Sequence, residues 1–313
     1  MIVLMSAFLL LSAFSCGGGN KANSTSEQGE KTVVNVPQFD ADSAYLYVKN
    51  QVDFGPRVPN TKGHIACGNY LARQLKEFGA QVTDQYADLI AYDGTLLKAR
   101  NIIGSYKPES KKRIALFAHW DTRPWADNDP DKKNHKTPIL GANDGASGVG
   151  ALLEIARLVH QQQPELGIDI IFLDAEDYGA HDQDNEESWC LGAQYWARNP
   201  HVQGYNARFG ILLDMVGGKN TVFLKESYSE KFAPDVNKKV WKAARKLGYG
   251  NLFINEDGGG VTDDHLFINR LARIKTIDII ASDPEGGFTP TWHTLTDNMD
   301  HIDKNTLKAV GQT

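Results

Sequence analysis

From residue 39 onward, apolar and polar positions follow two rhythms. Tyr45, Val48 and Val52 recur at helical spacing behind Asp42 and Ser43, either of which is a good cap, and Phe54-Gly55-Pro56-Arg57 stops the run. A second helix is expected over about 63–78, closed by Gly79. Short β-rich runs follow at 82–86, 96–106 and 114–118. Residues 147–159 then read as a helix whose broad apolar face is Val149, Leu152, Leu153, Ile155 and Ala156. Runs 170–173 and 209–213 are apolar on both parities, as central strands covered on both faces should be. A helix over 234–247 ends at Gly248, and 273–280 is a further β-rich run. Strands alternating with helices predict an α/β three-layer fold: an open, mostly parallel but mixed sheet with helices on both faces. There is no internal repeat, and residues 303–313 read as a helix cut short. Connections are short except 125–138, 180–188 and 282–292, and long loops in a compact domain are more often functional than idle.

The first residues break the pattern. Residues 2–14 are an apolar run of signal-peptide length, too short to span a bilayer as a helix. Ser15-Cys16 and a polar tether opening with Gly17-Gly18-Gly19 follow. Small residues before a lone cysteine resemble a bacterial lipobox, against the alternative of a plain cleaved signal with Cys16 incidental. The expected organisation is therefore a signal over 1–15, a lipid-anchored tether over 16–32 and one catalytic domain over 33–313. Such a protein sits in the bacterial cell envelope, periplasmic or outer-membrane facing, and meets the membrane only through Cys16. Nothing in the sequence pairs Cys67 with Cys190. The formal charge is −6 and no Lys/Arg stripe carries interleaved aromatics, which argues against nucleic-acid binding.

Chemistry gathers where buried strands should end: His119-Trp120-Asp121, Asn143-Asp144, Glu176-Asp177, Asp214 and Trp292-His293. Open α/β sheets collect ligands outside the carboxyl ends of their strands, and zinc takes a few oxygen and nitrogen ligands beside a carboxylate that moves protons. Each cluster also has a plain reading. Asp144 and Asp263 suit helix caps, Asp174-Ala175-Glu176-Asp177 suits a solvated turn, and a lone His293 suits the surface. His119 with Asp121 reads either as ligation of a second metal or as hydrogen-bonded support behind the site.

In order, His-x-Asp, Asn-Asp-Gly-Ala-Ser-Gly, Asp-x-Glu-acid, Leu-Leu-Asp-Met and aromatic-His-Thr resemble the zinc-exopeptidase-like (aminopeptidase-like) α/β fold. With Asp263-Asp264-His265 and Trp292-His293-Thr294 they most resemble its glutaminyl-peptide cyclotransferases, from about residue 54 to 303. The resemblance implies one zinc ion held by Asp144, Asp177 and His293, with Glu176 as general base and acid. It implies a carboxylate network of Asp214 and Asp264, and a pocket lined by Trp292, Trp189 and Phe288. His119 would stand where two-metal relatives bind their other zinc. Asp177 departs from the Glu common in animal cyclases and in the peptidases. The implied enzyme is a monomer converting the N-terminal glutamine of peptides or proteins to pyroglutamate with loss of ammonia. Two alternatives stay open: a two-zinc aminopeptidase using His119, Asp144, Asp177, Asp214 and His293, and a binding domain that kept the fold without the chemistry.

Overall fold

The computed structural model describes residues 36–181 and 185–313. The signal, tether and Cys16 expectations lie outside the described residues. Pro37–Thr313 form one compact unit. Helix α1 (Ala41–Val52) is capped by Asp40, two residues before the nearer expected cap Asp42, because the Asp40 carboxylate accepts the N–H groups of Asp42 and Ser43. Helix α2 (Lys62–Glu77) is capped by Thr61, and Gly79 follows it at φ 76°. Strands β1 (Gln81–Ile90), β2 (Leu96–Tyr106) and β3 (Arg113–His119) lead to α3 (Ala146–Gln162) and β4 (Gly167–Leu173). After α4 (Leu191–Arg198) come β5 (Gly210–Asp214), β6 (Val222–Lys225), α5 (Ser227–Phe232), α6 (Pro234–Lys246) and β7 (Phe253–Asp257). The chain closes with α7 (Asp264–Phe267), which runs into a π-helical turn Ile268–Ala272, then β8 (Thr276–Ser282) and α8 (Lys304–Gln312).

The eight strands form one mixed sheet in the order β1-β2-β4-β3-β5-β8-β6-β7. Its centre, β4-β3-β5-β8, is parallel, while β1, β2 and β4 pair antiparallel, as do β6 and β8. Adjacent residues of the central strands enter different cores. Ile102, Leu116, Ile170 and Leu213 pack with α1, α2, α3 and α8 on one face. Ile103, Phe117, Ile171 and Leu212 pack with α4 and the α7 turn on the other. Strict alternation of direction makes that division inevitable for strands apolar on both parities. Full burial of Phe117 or Phe172 stabilises by about 1.5–3 kcal/mol each.

Strand β3 lies between β4 and β5, so the chain leaves β3 to one side through α3 and returns past it to the other through α4. This reversal opens a crevice at the carboxyl ends of β3 and β5. The run expected over 273–280 becomes a strand only from Thr276, since Arg273 is left-handed at φ 57° and ends the π turn.

Candidate active site

His119 is the last residue of β3, Asp214 the last of β5, and Glu176 and Asp177 follow β4. Asp144 precedes α3 but does not cap it. Gly145 occupies the cap position without a side-chain bond, and Asp144 Oδ1 lies 3.0 Å from His119 Nε2. The turns that aim these groups are strained. Ala175, Met215, Cys190 and His293 all take left-handed backbone, with φ between 51° and 58°, a region that costs a residue with a Cβ about 1–3 kcal/mol.

Asp121 has a definite structural task. Its two carboxylate oxygens accept the N–H groups of Glu176 (3.1 Å) and Asp177 (3.2 Å), so one buried acid fixes the backbone of the next acid pair. Asp297, which sequence reading passed over, does the same for the other ligand loop by accepting the N–H groups of Asn143 (2.8 Å) and Asp144 (3.1 Å). Burial, reinforced by the charge of Asp144, pushes the Asp297 carboxyl up to about 7. Only its place four residues after His293 hints at this task in the sequence.

Two triads share Asp144. In the first, one atom each from Asp144, Asp177 and His293 lie within 4.8 Å of one another, with His293 Nε2 3.1 Å from Asp177 Oδ1 and 3.6 Å from Asp144 Oδ2. Among the described residues, Asp144 Oδ2 and both Asp177 oxygens are buried with no hydrogen-bond partner, which is the condition of carboxylates suited to a cation. Burial would lower the His293 imidazole, yet Asp177 and then Asp127 hold it at about 9. The second triad, His119, Asp144 and Asp214, is closed on itself, because His119 Nε2 makes a hydrogen bond of 3.2 Å with Asp214 Oδ1. Burial pushes Asp214 up to about 7 although His119 pulls the other way.

Beside the first triad is a cavity of about 220 Å³ lined by Glu176, Asp263, Ile280 and the aromatic rings of Trp189, Phe288 and Trp292. The Trp292 ring stacks on His293 at 3.9 Å and Phe288 leans on Trp292 at 4.2 Å. Trp189 lies parallel to His293 at 6.2 Å, over Gly179, where a Cβ would overlap its indole. Glu176 Oε1 accepts from the Cys190 thiol at 3.3 Å. Burial pushes the Glu176 carboxyl well above its usual range; His119 opposes this, while Asp177, Asp263 and Asp264 add to it.

The expected Asp214–Asp264 link needs correction. Asp264 is fully buried, and neither of its oxygens has a hydrogen-bond partner among the described residues. The acid that reaches the cavity is its neighbour. Asp263 caps α7 from extended backbone, its Oδ1 accepts the Asp264 N–H, and its Oδ2 has no hydrogen-bond partner among the described residues. Glu176, Cys190 and Asp263 each bring an atom within 4.8 Å of the others. A one-residue step in an extended segment turns a side chain to the opposite side, which motif spacing alone does not resolve.

Comparison with known proteins agrees with this architecture. The profile of peptidase family M28 matches residues 101–313. A crystal structure of Bacteroides thetaiotaomicron glutaminyl cyclase bound to N-acetylhistamine is 84% identical, covering 89% of this chain and 97% of that one, with a TM-score of 0.88. A Bacteroides thetaiotaomicron structure described as a leucine aminopeptidase precursor is 83% identical over 90% of this chain and 97% of that one, with a TM-score of 0.87. Aminopeptidase YwaD of Bacillus subtilis is 27% identical over 86% of this chain, and the match takes in 54% of that protein, so the chain spans about half its length. With the family profile matched over most of its length, on an open mixed sheet whose strand ends gather the acids and imidazoles, this chain belongs to peptidase family M28.

Proposed function

We propose that this chain is a zinc-dependent glutaminyl-peptide cyclotransferase that converts N-terminal glutamine to pyroglutamate. The relatives' names alone do not decide, since two structures of nearly equal identity bear a cyclase and an aminopeptidase name. The observation that carries the reading is a small aromatic-walled cavity beside a ligand set suited to one cation, the Asp144–Asp177–His293 triad, faced by Glu176 and Asp263. A cavity of this size suits one folded side chain better than an extended peptide.

Asp144, Asp177 and His293 would hold the zinc ion, which when bound would supply Lewis-acid polarisation of the substrate's side-chain amide carbonyl. The rest is done by the chain's own residues. Trp189, Phe288 and Trp292 hold the glutamine side chain folded back on its own α-amine, so the reaction gains by proximity and orientation. The α-ammonium gives one proton to solvent, and Glu176, with proton affinity raised by burial, takes a second from the same nitrogen as it attacks the carbonyl carbon (Cδ) of the side-chain amide. It then returns that proton to the departing amide nitrogen. The C–N bond of the side-chain amide breaks, the ring C–N bond forms, and ammonia leaves. Asp263, on the cavity wall beside Glu176, is placed to orient the α-ammonium.

The two-zinc aminopeptidase reading keeps one favourable observation, the second triad of His119, Asp144 and Asp214. A single experiment separates them. Incubated with a glutamine-first and a leucine-first peptide, the protein should remove about 17 Da, one ammonia, from the first and leave the second whole. Free leucine, with two tightly bound zinc ions per chain, would establish the aminopeptidase instead. The protein acts as a monomer on exported peptide or protein N-termini. Lipid attachment at Cys16 to the bacterial envelope is part of the same proposal, supported by the sequence of residues 2–19. Loss of detergent-phase partitioning in Cys16→Ala would support the anchor, and unchanged partitioning would remove it.

A further inference from the structure

We propose that Asp127 is a positioning residue for the metal-binding histidine: clamped by Arg123, its carboxylate holds the His293 ring so that Nε2 faces Asp144 and Asp177. The inference rests on the reading of His293 as a metal ligand. Asp127 Oδ1 lies 3.3 Å from His293 Nδ1, the ring nitrogen opposite the one directed at the triad. Asp127 does not swing freely. Arg123 Nε donates to its two oxygens at 3.1 and 3.0 Å, and Nη2 donates to Oδ2 at 2.6 Å.

The same guanidinium reaches the second ligand. Its Nη1 donates to the carbonyls of Asp177 and Gly179, both at 3.0 Å. One buried cation therefore ties Asp177 through its backbone and His293 through Asp127, although the two ligands come from loops more than a hundred residues apart. The guanidinium also lies 4.7 Å from the Trp189 ring centre, so the pocket wall is set by the same group.

The neighbours of Asp127 hold the same loop. The Asn128 N–H donates to the His293 carbonyl at 3.1 Å, and Asp129 Oδ2 accepts the Leu295 N–H at 3.0 Å. His293 needs such support because its backbone is left-handed at φ 55°. The plainer reading makes Arg123–Asp127 an i,i+4 ion pair near the surface, with Asp127 18% exposed. That reading gives no reason for its carboxylate to stand at Nδ1 of a buried imidazole. His181 also approaches Asp127, at 3.9 Å, from the more exposed side. The 3.3 Å approach of Nδ1 to Oδ1 is an ion-pair distance and not a formed hydrogen bond in this structure; a ring N–H closed onto that carboxylate would fix the tautomer that leaves Nε2 free to ligate and raise its basicity as a ligand.

Zinc affinity, read by competition with a chromogenic chelator, tests this in the full chain. Asp127→Ala should bind zinc about 10–100-fold more weakly than the wild type. Asp127→Asn keeps an oxygen able to accept from Nδ1–H and should recover much of the loss. Wild-type affinity in Asp127→Ala, or an Asn variant no better than Ala, would overturn the proposal. A second measurement needs no variant to fold. In long-range ¹H–¹⁵N spectra of the zinc-loaded wild-type protein, His293 should carry its proton on Nδ1, and a proton on Nε2 would overturn the assignment. Weakened zinc binding in Asp127→Ala from a protein that forms no pyroglutamate would sink the cyclase reading and leave this one standing.

Discussion

Glu176 and Asp177 are adjacent on the chain yet divided in task by direction. Asp177 turns to His293, Glu176 turns to the cavity, and Asp121 holds both of their N–H groups. Replacing Glu176 by Gln keeps the shape and removes the titratable oxygen. Glu176→Gln should therefore retain zinc while losing about 10²–10⁴-fold in turnover, and retained turnover would end its role as base. The neighbouring pair makes a sharper test. Asp263→Asn removes the acid that lines the cavity and should lower kcat by about 10²-fold. Asp264→Asn neutralises a carboxyl that burial, then Asp263, already raises well above its usual range, and should leave kcat near the wild type. Steady-state kinetics of the two variants decide between them, and the opposite ranking would restore Asp264 to the site.

Elements deliver these residues because glycines let them approach closely. Helix α3 starts against the end of β5, and a Cβ on Gly148 would overlap the Leu213 carbonyl beside Asp214. The helix would have to retreat from β5 and carry the Asp144 loop with it. Gly148→Ala should destabilise the protein by about 1–3 kcal/mol, measured by denaturant unfolding, and should weaken zinc binding as well. A stable variant with normal zinc affinity would show that the helix N-terminus has slack.

At the scale of the whole molecule, the crowd of acids and imidazoles makes stability depend on pH. Burial lifts the Asp214 and Asp297 carboxyls from an ordinary 3.8 to about 7 in the folded chain. Their contribution is complete below about 4 and is lost as pH rises through 7. His293, which burial would lower but Asp177 lifts from 6.5 to about 9, contributes fully below 6.5 and loses that through 9. Both windows run the same way, so metal-free protein should melt at a lower temperature at pH about 8.5 than at about 5.5. Zinc needs deprotonated ligands, so its stabilisation should grow with pH and oppose the trend. Thermal unfolding with and without zinc at the two pH values checks this, and a flat metal-free profile would contradict it.

Periodicity and direction determined much of this protein before any coordinates. Short runs apolar on both parities, such as 170–173, fit strands covered on both faces, and polar groups directly after such strands emerge at the strand ends. That logic located His119, Glu176, Asp177 and Asp214, while Asp144 and His293 were marked by their motifs and the family resemblance; the fold brings all six to one crevice. It did not reach β6 and β7, which are four and five residues long, or α4, which begins at a left-handed Cys190. Segments that short carry too little periodic signal. Which of Asp263 and Asp264 meets the cavity, and that Asp121, Asp127 and Asp297 act as anchors, depended on contacts between residues far apart in the chain. Local sequence specifies where a side chain leaves its own backbone; only tertiary packing decides what it meets, because the partner is supplied by another loop.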